Sequence, residues 1–347
     1  MSNSIPQPMR PWEATSKEKR QTLILFMLAI AISFGLVKFT FFSGKIGFAI
    51  SLFFSTQTVF IVNALRREGT PAAKDVLLKG FAIFGMALTI LPIVSIVSTV
   101  VIKGYKGLHL GLLTKDMSLA SVNDPIAQGG LLHALIGTII MVGGALIISF
   151  PIGVLTALYL TEIKGRFSRP IKFLVQAMSG VPSIVAGLFI LSSVIYPITK
   201  QLSGFMGSLA LSILMIPTIA RTSEEMLRLI PDDLREAGVA LGSTQWKTVS
   251  SVVLPAAKSG LVTAVILGVA RIIGETAPLL LVSGGGDAIN LNPTSGAMGS
   301  LPYYIWKAFL TGGTEEAFAR AWGGMLVLLI FIFILFGLAR FLSKSKV

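Results

Sequence analysis

Long apolar runs recur along this chain and leave it few possible folds. A helix needs about 20 largely apolar residues to cross a bilayer, and about eight stretches of the sequence approach that length. Hydrophobic residues make up 53% of the chain and charged residues 13%, whereas soluble domains carry about 25% charged residues. The sequence therefore predicts an all-α, polytopic transmembrane helical bundle. Its predicted spans are residues 23–40, 46–64, 76–102, 131–160, 171–196, 205–220, 256–282 and 321–339.

The distribution of basic residues predicts the orientation of these spans. Lysine and arginine number 29 against 16 acidic residues, a net charge of +13. Such an excess suggests nucleic acid in a soluble domain, but here most basic residues fall in alternate connecting segments, as they do in cytoplasmic loops. We expect a lipid bilayer and no nucleic acid as partner, with both termini cytoplasmic. The chain then divides into a cytoplasmic tail (1–22), a transmembrane, re-entrant or interfacial hairpin (23–75) and a main transmembrane domain (76–347).

The reactive side chains argue against an enzyme. Cysteine is absent and there are two histidines, His109 and His133, which all but excludes thiolate or histidine metal sites and a Ser-His-Asp triad. The nearest approach to a phosphate-binding loop, at Ser43-Gly44-Lys45, lacks the upstream glycine and the following Ser or Thr. We expect no catalytic residue, no metal and no cofactor bound by this chain itself.

The longest segment on the predicted cytoplasmic side, residues 221–255, has the pattern of two short helices joined by a sharp turn. Pro231 suits the start of the first helix, and acidic residues follow it where the helix dipole favours anions. Gly242 fits the position just past a helix end. Either of the next two hydroxyl residues can cap a second helix, which Pro255 would end. The first helix carries an apolar face at helical spacing, made of two leucines and two small residues, Leu234, Ala237, Gly238 and Leu241.

Two charged residues lie within the predicted span 256–282. Arg271 and Glu275 are four residues apart, so on one continuous helix they would share a face and could pair. Pro278 should kink that helix. Ionisable residues inside a membrane are costly and usually functional, and the guanidinium fork suits a tetrahedral oxyanion. We therefore interpret Arg271 and Glu275 as part of a substrate path and not as a purely structural pair. An alternative is that Glu275 is a proton site in a secondary transporter.

One motif in the predicted loop resembles a known family. Glu236-Ala237-Gly238 is followed after three residues by Gly242, and after nine more by the sequence VVLP at 252–255. This pattern resembles the EAA motif of ABC importer membrane subunits, including its spacing. The resemblance implies that residues 221–255 hold the coupling helix, which sits in a groove of an ATP-binding subunit. It places Glu236 near the dock, Ala237 and Gly238 in close packing, and Gly242 in the turn.

A second motif, ARIIGETAPLL at 270–280, closely resembles a signature of the A-type permease subunit of phosphate importers. The likeness runs from about residue 76 to the C-terminus, so the hairpin 23–75 is extra to the family. It implies a type I ABC importer permease fold. That family commonly has six spans, whereas the apolar runs of this chain predict about eight. The likeness also implies a substrate path made by Arg271, Glu275 and Thr276 of the motif, with Arg221 either at an inner gate or anchored at the membrane surface.

The resemblance also implies a function and partners. We expect a multi-pass permease subunit of an ATP-driven phosphate importer in a prokaryotic inner or plasma membrane, forming half of the pathway. The implied partners are a homologous partner permease in a heterodimer, two ATP-binding subunits that carry ATP and Mg²⁺, and an extracytoplasmic phosphate-binding protein. The alternatives are an ABC permease for another anion or, on weaker grounds, a proton-coupled secondary transporter, which would need no docking loop.

Overall fold

The structure, a computed structural model, describes residues 16–39 and 44–343, and all regular secondary structure there is helical. Most of the predicted tail 1–22 lies outside these ranges, as does Ser43. The α-helices of the described ranges are α1 (Ser16–Phe39), α2 (Gly44–Glu68), α3 (Thr70–Gly104), α4 (Leu132–Leu158), α5 (Ser168–Ser179), α6 (Ser183–Ile190), α7 (Gly204–Arg228), α8 (Asp232–Ala240), α9 (Gln245–Thr248), α10 (Leu254–Ala256), α11 (Lys258–Ile272), α12 (Ala277–Val282), α13 (Leu301–Thr311) and α14 (Glu315–Ser343).

Three of these helices continue into more loosely wound π-helical segments. They follow α4, α6 and α9 and cover Tyr159–Ile163, Leu191–Thr199 and Val249–Val253. The first two segments end at lysines with a left-handed backbone, Lys164 at φ 51° and Lys200 at φ 53°. Each of these lysine N–H groups closes the segment by donating to the carbonyl five residues earlier. The chain can therefore change direction there without leaving backbone donors unpaired.

The predicted polytopic bundle is confirmed. Within the described ranges, 6 helices are long and apolar enough to cross a membrane, or up to 8 if each of two bent pairs forms one span. The predicted span 171–196 is one of those pairs, because α5 meets α6 at 106°. Pro182 disfavours helical backbone at the residue before it, which explains the break. The predicted span 256–282 is also interrupted, between the end of α11 and the start of α12.

Contacts divide the chain into two compact units, Met1–Ile96 and Val97–Val347, with the boundary inside α3. The domain limits predicted from the sequence stay predictions. In the first unit α1 packs on α2 through Phe34 and Phe48, whose ring centroids lie 4.9 Å apart. Phe53 of α2 contacts Phe84 of α3 at 4.7 Å. Many large apolar side chains of this unit are exposed, as lipid-facing side chains are in a membrane protein.

The core of the second unit forms where α4, α7 and α11 meet. Buried apolar side chains fill it, among them Met141, Leu211 and Ile272. Small residues let the helix backbones approach closely, as is typical of helices packed in membranes. A Cβ atom added at Gly144 would lie 2.5 Å from the Ser208 hydroxyl oxygen, and one at Gly153 would lie 2.7 Å from the Ile219 side chain. Helices α4 and α7 therefore form a tightly packed pair.

Two connecting segments of this unit, 105–131 and 283–300, bind each other and form what we call the loop cap. The N–H of Met117 donates to the carbonyl of Asp287 at 3.0 Å, and the N–H of Ile289 donates to the carboxylate of Asp116 at 3.2 Å. Arg320 at the start of α14 is fully buried beneath the cap. Its guanidinium donates to three backbone carbonyls of the first segment, those of Asp124, Pro125 and Gln128.

Candidate functional site

The predicted pair of short helices exists and is here called the helical elbow, residues 232–256. Its first helix, α8, follows Pro231 and carries Asp232 and Asp233 in its first turn, as predicted. It ends at Ala240, and Gly242, which has φ +80°, lies just past that end, as predicted. The N–H of Gly242 donates to Val239 and that of the next residue to Gly238, the two hydrogen bonds of a Schellman motif. Gly242 therefore sets the turn between the two helices.

The second arm of the elbow begins at Thr244, whose hydroxyl oxygen accepts a hydrogen bond from the N–H of Lys247. Helical structure continues through a π-helical segment and past Pro255 to Ala256, so the predicted stop at Pro255 is one residue early. Proline in a helix deprives the carbonyl four residues earlier of its donor, and the looser winding just before Pro255 accommodates that loss. The chain then bends by 69° into α11.

The two arms touch at Gly238. It is buried, and a Cβ atom at this position would lie 2.5 Å from the Thr248 methyl carbon. Only a glycine lets α8 approach α9 this closely. The resemblance implies close packing at both Ala237 and Gly238. In the structure of this chain, only Gly238 packs closely between the two arms. Ala237 is exposed, as is Glu236.

The apolar face predicted on α8 is largely uncovered. Leu241 is 87% exposed and Leu234 is 42% exposed. Nearby, Trp246 on the second arm is 65% exposed. Exposed apolar patches bordered by charged residues typically mark contact sites for other proteins or for membranes. The elbow therefore presents an apolar surface that its own chain does not bury.

One ion pair that sequence reasoning missed fastens the elbow to α4. Glu162, in the π-helical segment after α4, accepts hydrogen bonds from the Arg235 guanidinium at 2.9 Å and 3.1 Å. We call this pair the clamp. The hydrogen bond with Glu162 also raises the pKa of Arg235 above its usual value. The sequence assigns no role to Glu162.

An open cavity of about 900 Å³ lies beside the clamp. Three basic and three acidic side chains line it, so its charge favours no particular ligand. The predicted coupling residue Glu236 lines it, whereas Arg221, Arg271, Glu275 and Thr276 do not.

The structure separates Arg271 and Glu275 instead of pairing them. Helix α11 ends at Ile272, and the N–H of Glu275 donates back to the Ile272 carbonyl at 3.1 Å. No ion pair or hydrogen bond between the Arg271 and Glu275 side chains is present in the described part of the chain. The predicted i,i+4 pair is therefore wrong, because it assumed a continuous helix. Arg271 is exposed on the last turn of α11 and Glu275 lies half-buried in the break.

Thr276 immediately precedes α12, where Pro278 occupies the first turn. The kink predicted at Pro278 is thus a complete break. Helix α12 is held by α6, because Gly187 approaches the Pro278 backbone so closely that an added Cβ atom would lie 2.8 Å from its Cα. Arg221 lies elsewhere, exposed within α7. That helix continues to Arg228, two turns beyond residue 220, where the predicted span ends. The choice between gate and anchor for Arg221 stays a prediction.

Comparison with known proteins places these features in a family. Residues 149–346 match the family described as binding-protein-dependent transport system inner membrane component. The phosphate transport system permease protein PstA 1 of Mycobacterium tuberculosis (strain CDC 1551 / Oshkosh) is 45% identical over 216 residues, which is 62% of this chain and 71% of that protein. The phosphate transport system permease protein PstA of Mycobacterium leprae (strain TN) is 41% identical over 264 residues, or 75% and 86% of the two chains.

A solved structure shares the fold. A chain of the MetNI methionine ABC transporter in an inward-facing conformation superposes with a TM-score of 0.50 at 20% sequence identity. The superposition covers 62% of this chain and 93% of that chain. The match supports the predicted importer permease architecture, and at this identity the likeness concerns the fold alone.

Proposed function

We propose that this chain, which belongs to the family of binding-protein-dependent transport system inner membrane components, is the permease subunit of an ATP-driven phosphate importer. It is a multi-pass membrane protein and a transport subunit. Two mycobacterial relatives are named phosphate transport system permeases, which supports phosphate as the substrate. The structural observation that carries the proposal is the uncovered apolar face of α8, which offers a second protein a preformed attachment surface.

The energy source in this proposal is a separate polypeptide. Two ATP-binding subunits carry ATP and Mg²⁺, and this chain binds no cofactor or metal. Each ATP-binding subunit binds the elbow of one permease, and Glu236 and Ala237 lie at that contact. Gly238 allows the two arms of the elbow to pack closely, and Gly242 forms its turn. When the ATP-binding subunits close, they displace the elbow. The elbow continues directly into α11, so this motion reaches the helix that carries Arg271.

The proposed substrate path includes Arg271, Glu275 and Thr276 at the break between α11 and α12, and Arg221 on α7. Arg271 is exposed and, among the described residues, has no acidic partner, so its planar fork is available to phosphate oxygens. A homologous partner permease supplies the other half of the path in a heterodimer. An extracytoplasmic phosphate-binding protein delivers the anion on the side of the loop cap, and the elbow and both termini are cytoplasmic in a prokaryotic inner or plasma membrane.

Reconstitution tests the proposal. The chain is purified with its partner permease and ATP-binding subunits, placed in proteoliposomes and supplied with the phosphate-binding protein. We expect labelled phosphate uptake that requires ATP and stops when ATP is withheld. Uptake driven by a proton gradient without ATP would instead identify a secondary transporter. Faster uptake of another anion than of phosphate would overturn the substrate assignment.

A charge substitution tests the path. Arg271→Ala should reduce phosphate uptake at least about tenfold, equivalent to about 1.4 kcal/mol, while the complex still assembles, because the side chain is exposed in this chain. Arg271→Lys should restore uptake only in part, since a point charge does not reproduce the planar fork. Lys258→Ala, at the other end of the same helix and also exposed, is the matched control and should transport normally. Normal uptake by Arg271→Ala would remove this residue from the path.

A further inference from the structure

The clamp joins the ends of three helices through a single guanidinium. Arg235 on α8 donates to Glu162 beyond the end of α4. It also donates to the carbonyls of Leu227 and Ile230 at the end of α7, at 3.0 Å and 2.7 Å. Carbonyls at a helix end lack partners within the helix, and a cation there is further favoured by the helix dipole. The side chain therefore binds α4, α7 and α8 together.

The same acidic residue also holds the second arm of the elbow. The Gln245 side-chain amide donates to the Glu162 backbone carbonyl at 2.8 Å. Glu162 thus contacts α8 through its carboxylate and α9 through its carbonyl. Glu162 lies in the segment that continues α4. Its two contacts therefore oppose a displacement of the whole elbow relative to α4.

Burial distinguishes the clamp from an ordinary surface ion pair. The Glu162 side chain is 6% exposed and that of Arg235 is 22% exposed. Exposed ion pairs contribute little, whereas removing one partner of a buried pair leaves a charge without compensation. A second pair, Glu224 with Arg228, has a similarly buried acid, 8% exposed, but joins two residues of α7. Glu224 also lies 3.9 Å from Lys172 of α5. Arg228 pairs only within α7 among the described residues, so its loss breaks no link between helices.

We propose that the Glu162–Arg235 clamp is the link that passes movement of the elbow to α4, with Arg235 as a positioning residue of the transport cycle. The inference rests on the proposed function, because it assumes that ATP-binding subunits move the elbow. Helix α4 packs closely on α7 through Gly144 and Gly153, so a pull on Glu162 moves the packed core. Without the clamp, ATP hydrolysis would continue while the core responded weakly.

The test compares neutral variants of the two pairs in the reconstituted complex. Glu162→Gln and Arg235→Gln should each lower the phosphate transported per ATP hydrolysed by about tenfold, within the range of roughly 5- to 150-fold typical of coupling between sites. The ATP-binding subunits should still co-purify. The matched control Arg228→Gln, which breaks an ion pair within α7 alone, should change the ratio less than about twofold. An unchanged ratio in the clamp variants would overturn the inference.

A second measurement separates coupling from simple stability. The chain has no cysteine, so Glu162→Cys with Arg235→Cys gives this chain a single cysteine pair for a short bis-maleimide. The double variant should hydrolyse ATP with poor uptake, and cross-linking should restore at least half of the lost transport per ATP. Failure of the cross-linked protein to recover would count against the clamp. Absence of ATP-driven phosphate uptake in the unaltered complex would instead reject the proposed function.

Discussion

Gly242 shows how one residue can decide the geometry of the site. Its φ of +80° lies in the left-handed region, and nothing lies within 4 Å of where a Cβ atom would be. The glycine is thus required by its backbone conformation and not by crowding. A β-branched residue would oppose this conformation, whereas asparagine tolerates it better than most side chains.

Substitution at Gly242 should therefore uncouple transport without blocking insertion. Gly242→Val opposes the turn by roughly 1–2 kcal/mol, so we expect lower ATP-driven phosphate uptake at unchanged membrane abundance. Gly242→Asn should keep most of the uptake. Gly313→Val, at an exposed glycine with an ordinary φ and open space around it, is the control. Equal uptake by Gly242→Val and the unaltered protein would show that the turn is dispensable.

At the residue scale, the binding partners of Arg320 and Arg235 could not be predicted from the sequence. In the sequence, both are simply basic residues outside the predicted spans. In the structure, Arg235 contacts Glu162 across 73 residues, and Arg320 contacts carbonyls nearly 200 residues earlier. Backbone carbonyls are present at every position, so no sequence pattern could identify them as partners.

At the scale of whole segments, one carboxylate helps to join the two segments of the loop cap. Asp116 accepts hydrogen bonds from Ser118 in its own segment and from Ile289 in the other. The hydrogen bond from the Ser118 side chain is the main cause that lowers the pKa of Asp116 below its usual value. The charged form is therefore the form that the folded cap favours.

Acidification should loosen the cap. A carboxylate with a lowered folded pKa stabilises the fold fully above its unfolded pKa, about 3.9 for Asp, and that contribution is lost as the pH falls through the folded value. As the pH drops below about 4, the backbone amides around Ile289 should therefore exchange with deuterium faster than they would if the cap stayed closed at that pH. The Asp116→Asn variant should exchange faster than the unaltered protein at neutral pH, and it should lack the additional increase at low pH. Asp124→Asn, whose hydrogen bond stays within one segment, is the control, and identical profiles for all three proteins would refute the role of Asp116.

The helical elements differ in how well the sequence predicts them. The elbow depends on local signals, an acidic first turn, Gly242 and the Thr244 cap, and each appears where expected. The break after Ile272 was predicted only as a kink. Pro278 signals disruption, but the extent of the break also depends on α6, which packs against Pro278 through Gly187.

At the scale of the whole molecule, the orientation is a prediction from charge distribution, and the absence of cysteine makes it easy to test. Leu119 of the loop cap is 98% exposed and Leu241 of the elbow is 87% exposed. We expect a membrane-impermeant maleimide to label Leu119→Cys but not Leu241→Cys in intact cells with a permeable outer barrier. Both variants should react equally after the membrane is dissolved, which controls for reactivity. The reverse pattern would invert the topology.

The sequence by itself determined that the chain is an all-α membrane bundle with a helical elbow, because both depend on properties read along the chain: apolar length, helix caps and a glycine turn. The tertiary structure alone decided that Arg271 and Glu275 stand apart, that α5 and α6 meet at 106°, and that Glu162 holds the elbow. These features depend on which distant elements pack together. A charged side chain reveals its type in the sequence, but its partner is set by the fold.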